Sequence, residues 1–280
     1  VDFRKWGATV DTATDFTVMN DEVRKIIEDY NFGSIILFAN NIKETEQSYN
    51  LTMAMQEAAI KDNGLALIIC ADQEGGSVYR LGSGTALPGN MALGATYAAN
   101  GTKYSYEAGK IIGSELSVLG INGNLAPVVD VNNNANNPVI GLRSYGDDAT
   151  MVGELASASI AGMAEYNVIG TAKHFPGHGD TATDSHYGLP IVDKSLEVLK
   201  EVELKPYEVA IDQGIEMIMT AHILYPQLES DKIYSNKTKK EESLPATMSD
   251  DILTGLLKED MGFEGIIVTD AMNMAGIADK

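Results

Sequence analysis

Cysteine is almost missing from this 280-residue chain. Cys70 stands alone, so no internal disulfide can staple the fold, and cysteine usage leaves the redox compartment open. Long hydrophobic runs are missing too. The longest, residues 65–71 (LALIICA), falls far short of the roughly 20 residues that cross a bilayer, so no transmembrane segment is expected, and Cys70 within it reads as a buried core thiol. Basic residues are scarce, with 20 Lys and Arg against 40 Asp and Glu and a net charge of -20. Such a surface repels phosphate, which argues against nucleic acid or an anionic membrane as partner and favours simple solubility. Short internal repeats and low-complexity tracts are lacking as well. The first residue is Val1 rather than Met, which leaves a leader or lipidation signal undecided.

What remains is enough for one large core, since 44% of the residues are hydrophobic. Helical periodicity and apolar runs alternate along the chain. The pattern predicts helices over residues 19–30, 45–61, 102–119, 150–166, 196–213 and 250–260. It predicts strands over 34–38, 65–71, 125–129, 168–172, 216–220 and 265–269, with residues 2–4 as the tail of a further one. These strands are continuously apolar rather than alternating, which points to a parallel sheet covered on both faces. Residues 230–243, rich in Lys and Glu, read as a solvated loop.

Polar residues cluster just after the strands: Asp72-Gln73-Glu74, Asp130, Lys173-His174, His222 and Asp270. Many polar strand ends favour a (β/α)8 TIM barrel over a doubly wound sheet with a single switch point. Six clear strands and one partial one make that barrel incomplete, with the last strand and helix missing after Asp270. Residues 1–280 are thus expected to be one barrel domain and a fragment of a longer chain.

Three of the four histidines fall between residues 173 and 186. Pro176, Gly177, Gly179 and Gly188 exclude a regular helix there, so the stretch 173–180 reads as a loop leaving a strand. Asp184 and His186 are two apart, which in an extended segment points both side chains one way. A carboxylate so placed can hold the imidazole in one tautomer and raise its pKa, giving a candidate acid/base dyad. Glycoside hydrolysis with retention needs such a group and a nucleophile about 5 Å apart. Asp270, at a strand end, is the nucleophile candidate.

Four phrases, Asp72-Gln73-Glu74-Gly75-Gly76, Lys173 to Asp180, Asp184-Ser185-His186 and Val268-Thr269-Asp270-Ala271-Met272, closely resemble the family 3 glycoside hydrolases. Within that family they resemble the β-N-acetylhexosaminidase branch of peptidoglycan recycling and turnover, and the resemblance runs from about residue 33 to the end. It implies a retaining exo-acting β-N-acetylglucosaminidase that removes N-acetylglucosamine from cell-wall fragments (muropeptides) without a cofactor. It makes Asp270 the nucleophile and His186 the general acid/base, oriented by Asp184. It assigns Asp72, Arg80, Arg143, Lys173 and His174 to the sugar hydroxyls. Asn132-Asn133-Asn134 and Pro138-Val139-Ile140-Gly141 resemble longer, exported members, favouring the cell envelope over the cytoplasm. Oligomeric state and preferred aglycone are not legible.

Other readings stand beside these. His174, His178 and Asp180 have a spacing that invites a metal, but Pro176 and Gly177 remove the helix such a site requires, so no metal is expected. His178 is expected to stabilise its loop by a hydrogen bond. Asp130 and His222 are expected in supporting roles, and Glu74 in bonds to the Gly75-Gly76 turn. Asp184 alone could be a turn residue, Asp270 a helix N-cap, and Arg80 and Arg143 surface ion pairs. A neutral imidazole acid/base also admits attack by phosphate as well as water. Within the family a β-glucosidase is the alternative, disfavoured by the histidine loop; outside enzymes, it is a non-catalytic sugar-binding fragment.

Overall fold

The computed structural model describes residues 1–182, 189–235, 239–274 and 277. Two short strands, β1 (Lys5–Trp6) and β2 (Thr14–Asp15), pair antiparallel at the start. The alternation then runs α1 (Asp21–Tyr30), β3 (Ser34–Leu37), α2 (Thr45–Asn63) and β4 (Ile68–Ala71). Short helices α3 (Asn90–Gly94) and α4 (Tyr97–Asn100) lead into α5 (Lys103–Val118), β5 (Gly123–Asn124), α6 (Ala149–Ala164) and β6 (Ile169–Phe175). Next come α7 (Leu196–Glu201), α8 (Lys205–Asp212) and β7 (Met217–Thr220). A ribbon of β8 (Lys232–Ser235) and β9 (Lys240–Ser243), a helical segment Asp251–Asp260 and β10 (Ile266–Thr269) complete the order. Helix ends follow local chemistry: Asn20 caps α1 by accepting from the Val23 amide at 2.8 Å, and Asn31 closes it in the left-handed region.

Six strands form one all-parallel sheet in the order β10-β7-β6-β5-β4-β3. Asp2 adds a single parallel bridge to Ile36 beyond β3, which is where the partial first strand was expected. Side chains alternate between two apolar environments, as the period of a strand requires. Ile35, Leu37, Ile69 and Ile218 face the helical layer. Ile36, Cys70, Leu125, Met217, Met219 and Val268 meet on the other face in one small cluster. Ile36 and Val268 belong to strands at opposite ends of the sheet order, so the sheet curls. The result is a curled half-barrel backed by helices. Cys70 is buried in it, and burial pushes its thiol up to about 12, as a core thiol should be.

Several boundaries differ from the sequence pattern. The strand expected at 125–129 is displaced to Gly123–Asn124, because Pro127 lacks the N–H that would continue the ladder; Val128 keeps one parallel bridge to Lys173. β6 runs to Phe175, so Lys173 and His174 lie within the strand and the loop starts at Pro176. The helix expected over 196–213 breaks into α7 and α8 at Val202, which leaves helical geometry, and Pro206 in the first turn of α8 supplies no amide to continue the ladder across the break. Within the stretch read as a solvated loop, Lys232–Ser235 pairs antiparallel with Lys240–Ser243. Asp251–Asp260 is π-helical, with the Met261 amide bonded to the Leu256 carbonyl at 2.9 Å. Among the described residues, no helix is long and apolar enough to cross a membrane.

Helices α5 and α6 approach closely through glycines. A Cβ on Gly109 would lie 2.1 Å from the Ser159 carbonyl oxygen, and one on Gly162 would lie 2.3 Å from that of Tyr106. Replacing Gly109 with alanine should therefore destabilise the fold by about 1–3 kcal/mol through overpacking. Gly33→Ala, which meets nothing within 4 Å, should change stability by less than about 0.5 kcal/mol. Thermal melts of the two variants compare them directly, and equal midpoints would contradict the close-contact reading.

Candidate active site

Parallel strands deliver their C-terminal ends to one edge, and there the polar residues of the sequence converge. Glu74, just beyond β4, is nearly fully buried and takes both arms of Arg143: Nε donates to Oε2 at 2.9 Å and Nη2 to Oε1 at 2.7 Å. Lys173 from β6 places Nζ 2.7 Å from the same Oε1 and 3.0 Å from Asp72 Oδ1. Arg80 Nη2 stands 3.7 Å from Asp72 Oδ2. Arg143 is presented by the 3-10 turn Gly141–Arg143, whose backbone is held by the Asn90 amide at 2.8 Å. Four of the five residues assigned to the sugar, Asp72, Arg80, Arg143 and Lys173, thus form one connected network.

Glu74 was expected to serve the Gly75-Gly76 turn and does otherwise. That turn is closed by backbone bonds, Gly76 amide to Leu87 carbonyl at 3.1 Å and Glu74 amide to Val78 carbonyl at 3.0 Å, leaving the carboxylate for the two cations. Arg143 is a buried ion pair rather than a surface one. Burial alone would raise the Glu74 pKa, but the charge of Lys173 and the hydrogen bond from Arg143 hold it at about 2. Burial likewise works against the charge of Lys173, which Glu74 and Asp72 nevertheless hold above its ordinary pKa.

Behind the network sits Asp130, fully buried. Its Oδ1 accepts the backbone amides of His174 at 3.2 Å and His178 at 2.6 Å, and its Oδ2 lies 2.8 Å from His174 Nδ1. Burial raises Asp130 to about 6, opposed by His178, so it remains ionised at neutral pH. Burial, then Arg143 and Lys173, keep His174 low at about 3, a neutral imidazole. His178 holds its own loop as expected, with Nδ1 2.7 Å from Thr181 Oγ1. Asn137 reinforces it: its amide donates to the carbonyls of His178 at 2.8 Å and Gly179 at 3.0 Å, while its oxygen accepts the Val139 and Ile140 amides. Gly179 is required here, since a Cβ would lie 1.7 Å from the Val131 carbonyl oxygen. Downstream, Lys194 bridges Asp180 at 2.7 Å and Glu203 at 2.6 Å. Asp184 and His186 lie between these anchors, outside the described residues.

Asp270 stands half-buried at the end of β10. Its Oδ1 accepts the amide of the next residue, Ala271, at 2.7 Å, a bond unlike that of an N-cap, which accepts two or three residues on. His222 approaches the same residue, with Nε2 3.2 Å from the Ala271 carbonyl oxygen and Nδ1 2.8 Å from Thr247 Oγ1. Asp270 is also one of the charges acting on His174, which links the nucleophile candidate to the cluster. Among the described residues no group of three or more His, Cys, Asp or Glu has the geometry of a metal site. Sequence reasoning undervalued Glu74 and passed over Asn137. Glu74 had a signal, its place two residues after Asp72 at a strand end; Asn137, within an asparagine-rich loop, had none.

The depressed Glu74 carboxyl has a direct consequence for stability. A folded-state pKa of about 2 lies below that of the unfolded chain, about 4.3, so its contribution is complete above that value and is lost as pH falls toward 2. Glu74→Gln should cost about 3–5 kcal/mol at pH 7, because it takes the carboxylate from Arg143 and leaves buried Lys173 with Asp72 as its one remaining counter-charge among the described residues. It should also flatten the acid limb of stability between about pH 4.5 and 2. Chemical denaturation across pH would show both; an acid limb as steep as in the parent protein would refute the assignment.

Known proteins resemble this chain over most of its length. Residues 8–280 match the glycosyl hydrolase family 3 N terminal domain. "Beta-hexosaminidase A" of Pseudoalteromonas piscicida is 44% identical over 267 residues, covering 94% of this chain and 44% of its own length. A family 3 β-N-acetylglucosaminidase from Paenibacillus superposes with a TM-score of 0.86 at 44% identity, over 94% of this chain and 48% of that one. NagZ from Neisseria gonorrhoeae, solved with N-trifluoroacetyl-D-glucosamine, superposes at 0.81 with 32% identity, over 93% of this chain and 73% of that one. This chain thus spans less than half the length of the first two. The match to the family domain over nearly its full length means that the chain belongs to glycosyl hydrolase family 3.

Proposed function

We propose that the protein is a retaining exo-acting β-N-acetylglucosaminidase that removes N-acetylglucosamine from peptidoglycan fragments. The observation that carries this reading is the placement of Asp270 at the same rim as a buried network of alternating cations and carboxylates. That network resembles what sugar hydroxyls require, since charge-assisted hydrogen bonds to them can strengthen in the transition state. The N-acetylglucosamine analogue bound by the Neisseria relative supports the sugar class. Residues 1–280 are read as one domain, the family's N-terminal catalytic (β/α)8 barrel domain, incomplete in this chain.

In the first step Asp270 attacks the anomeric carbon while protonated His186 delivers its proton to the departing glycosidic oxygen. A covalent glycosyl-Asp270 ester results, and His186 is left neutral. In the second step neutral His186 takes a proton from water, whose oxygen attacks the anomeric carbon and releases Asp270. Asp184 orients His186 throughout. Asp72, Arg80, Lys173 and His174 hold the sugar hydroxyls. Arg143, locked to Glu74, contributes the donor hydrogens that this pair leaves over. No cofactor takes part.

Hydrolysis of p-nitrophenyl β-N-acetylglucosaminide and of the matching β-glucoside tests the reading. Turnover should be confined to the acetylated substrate, fall to background in Asp270→Ala, and fall by about 10²–10⁴-fold in His186→Ala. Preference for the glucoside would make the protein a β-glucosidase. Binding of N-acetylglucosamine without turnover would leave a sugar-binding module. Adding phosphate and analysing the products separates hydrolysis from phosphorolysis.

A further inference from the structure

What His174 can offer a sugar hydroxyl, a donor or an acceptor, depends on which of its ring nitrogens carries the proton. Asp130 decides that question. It lies between β5 and the 3-10 turn Gly141–Arg143, and no part of its side chain reaches solvent. Ser144 Oγ donates to its carbonyl oxygen at 2.6 Å, fixing its backbone. Its two carboxylate oxygens divide the work. Oδ1 gathers the amides of His174 and His178, closing the turn that contains Pro176 and Gly177. Among the described residues Oδ2 is bonded to the ring, 2.8 Å from His174 Nδ1. An ionised carboxylate can only accept, so the proton of a neutral ring must sit on Nδ1 and the lone pair on Nε2.

We propose that Asp130 is a positioning residue of the sugar site. It locks His174 as the Nδ1–H tautomer, so that Nε2 accepts a hydrogen bond from a sugar hydroxyl, and it fixes the turn from which the following loop departs. This rests on the glycosidase reading for its ligand, though not for its geometry. The chemistry around it gives the tautomer a purpose. Lys173, Arg80 and Arg143 can only donate, whereas a sugar hydroxyl held by such donors must pass its own hydrogen to an acceptor. Asp72 is one acceptor, and it is shared between Lys173 and Arg80. His174 supplies a neutral second one. Arg143 and Lys173 disfavour an imidazolium here, while Asp270 and Glu74 favour it; with burial, the balance keeps the ring neutral, and the lone pair survives at working pH.

The test begins with the parent protein. Two-dimensional ¹⁵N–¹H spectra of the histidine rings at pH 7.5, with the His174 signals assigned by their loss in His174→Gln, should show Nδ1 protonated and Nε2 bare. The opposite tautomer would overturn the proposal, whatever the variants do. Asp130→Asn keeps the shape and can still accept the two amides through Oδ1, but presents an N–H to Nδ1. His174 should then switch to the Nε2–H tautomer. KM for the aryl N-acetylglucosaminide should rise about tenfold, the equivalent of one lost hydrogen bond, with a smaller change in kcat. A switched tautomer with unchanged KM would refute the role in sugar binding. If the parent tautomer is as stated but neither aryl glycoside is turned over, the enzyme reading fails while the positioning of His174 by Asp130 survives. Should Asp130→Asn not fold, the parent spectrum alone decides.

Discussion

The buried carboxylate of Glu74 is the point on which the rim depends. It joins three elements that are remote in sequence: the turn after β4, the strand β6 through Lys173, and the 3-10 turn carrying Arg143. A charge taken out of water is tolerated only when paired and hydrogen-bonded, and here each partner meets that need for the others. Lys173, almost fully buried, could not remain charged without Glu74 and Asp72; Glu74 could not remain ionised without Lys173 and Arg143. The result is a charged cluster in which Arg80, Arg143 and Lys173 are interleaved with Asp72 and Glu74, with ionised Asp130 behind them.

Around that centre the fold supplies rigidity from a second direction. Asp130 and Asn137 both lie in the long connection between β5 and α6, and both reach across to hold the chain after β6. Gly179 permits the close backbone approach this needs. Lys194, tied to Asp180 and Glu203, anchors the far side. The described backbone on either side of residues 183–188 is therefore held by these bonds.

Strand and helix order was legible because a parallel strand covered on both faces reads as an unbroken apolar run, and such runs occur between amphipathic helices. The details that failed were those set by backbone hydrogen bonding. Pro127 moved β5 upstream, one expected helix broke at Val202 ahead of Pro206, and β8 paired with β9. None of these is visible in hydrophobic periodicity, which reports burial and not the partner of each N–H.

By itself the sequence determined the layered α/β architecture, the rim on which Asp72, Lys173, His174 and Asp270 stand, and the family, because these follow from local pattern and contiguous motifs. Tertiary structure alone decided how those groups are charged and oriented. Glu74 meets Arg143 across 69 residues, Lys173 meets Asp72 across 101, and Asp130 meets His174 across 44. The physical reason is that a pKa or a tautomer is a property of the groups within a few ångströms, and only folding brings those groups together.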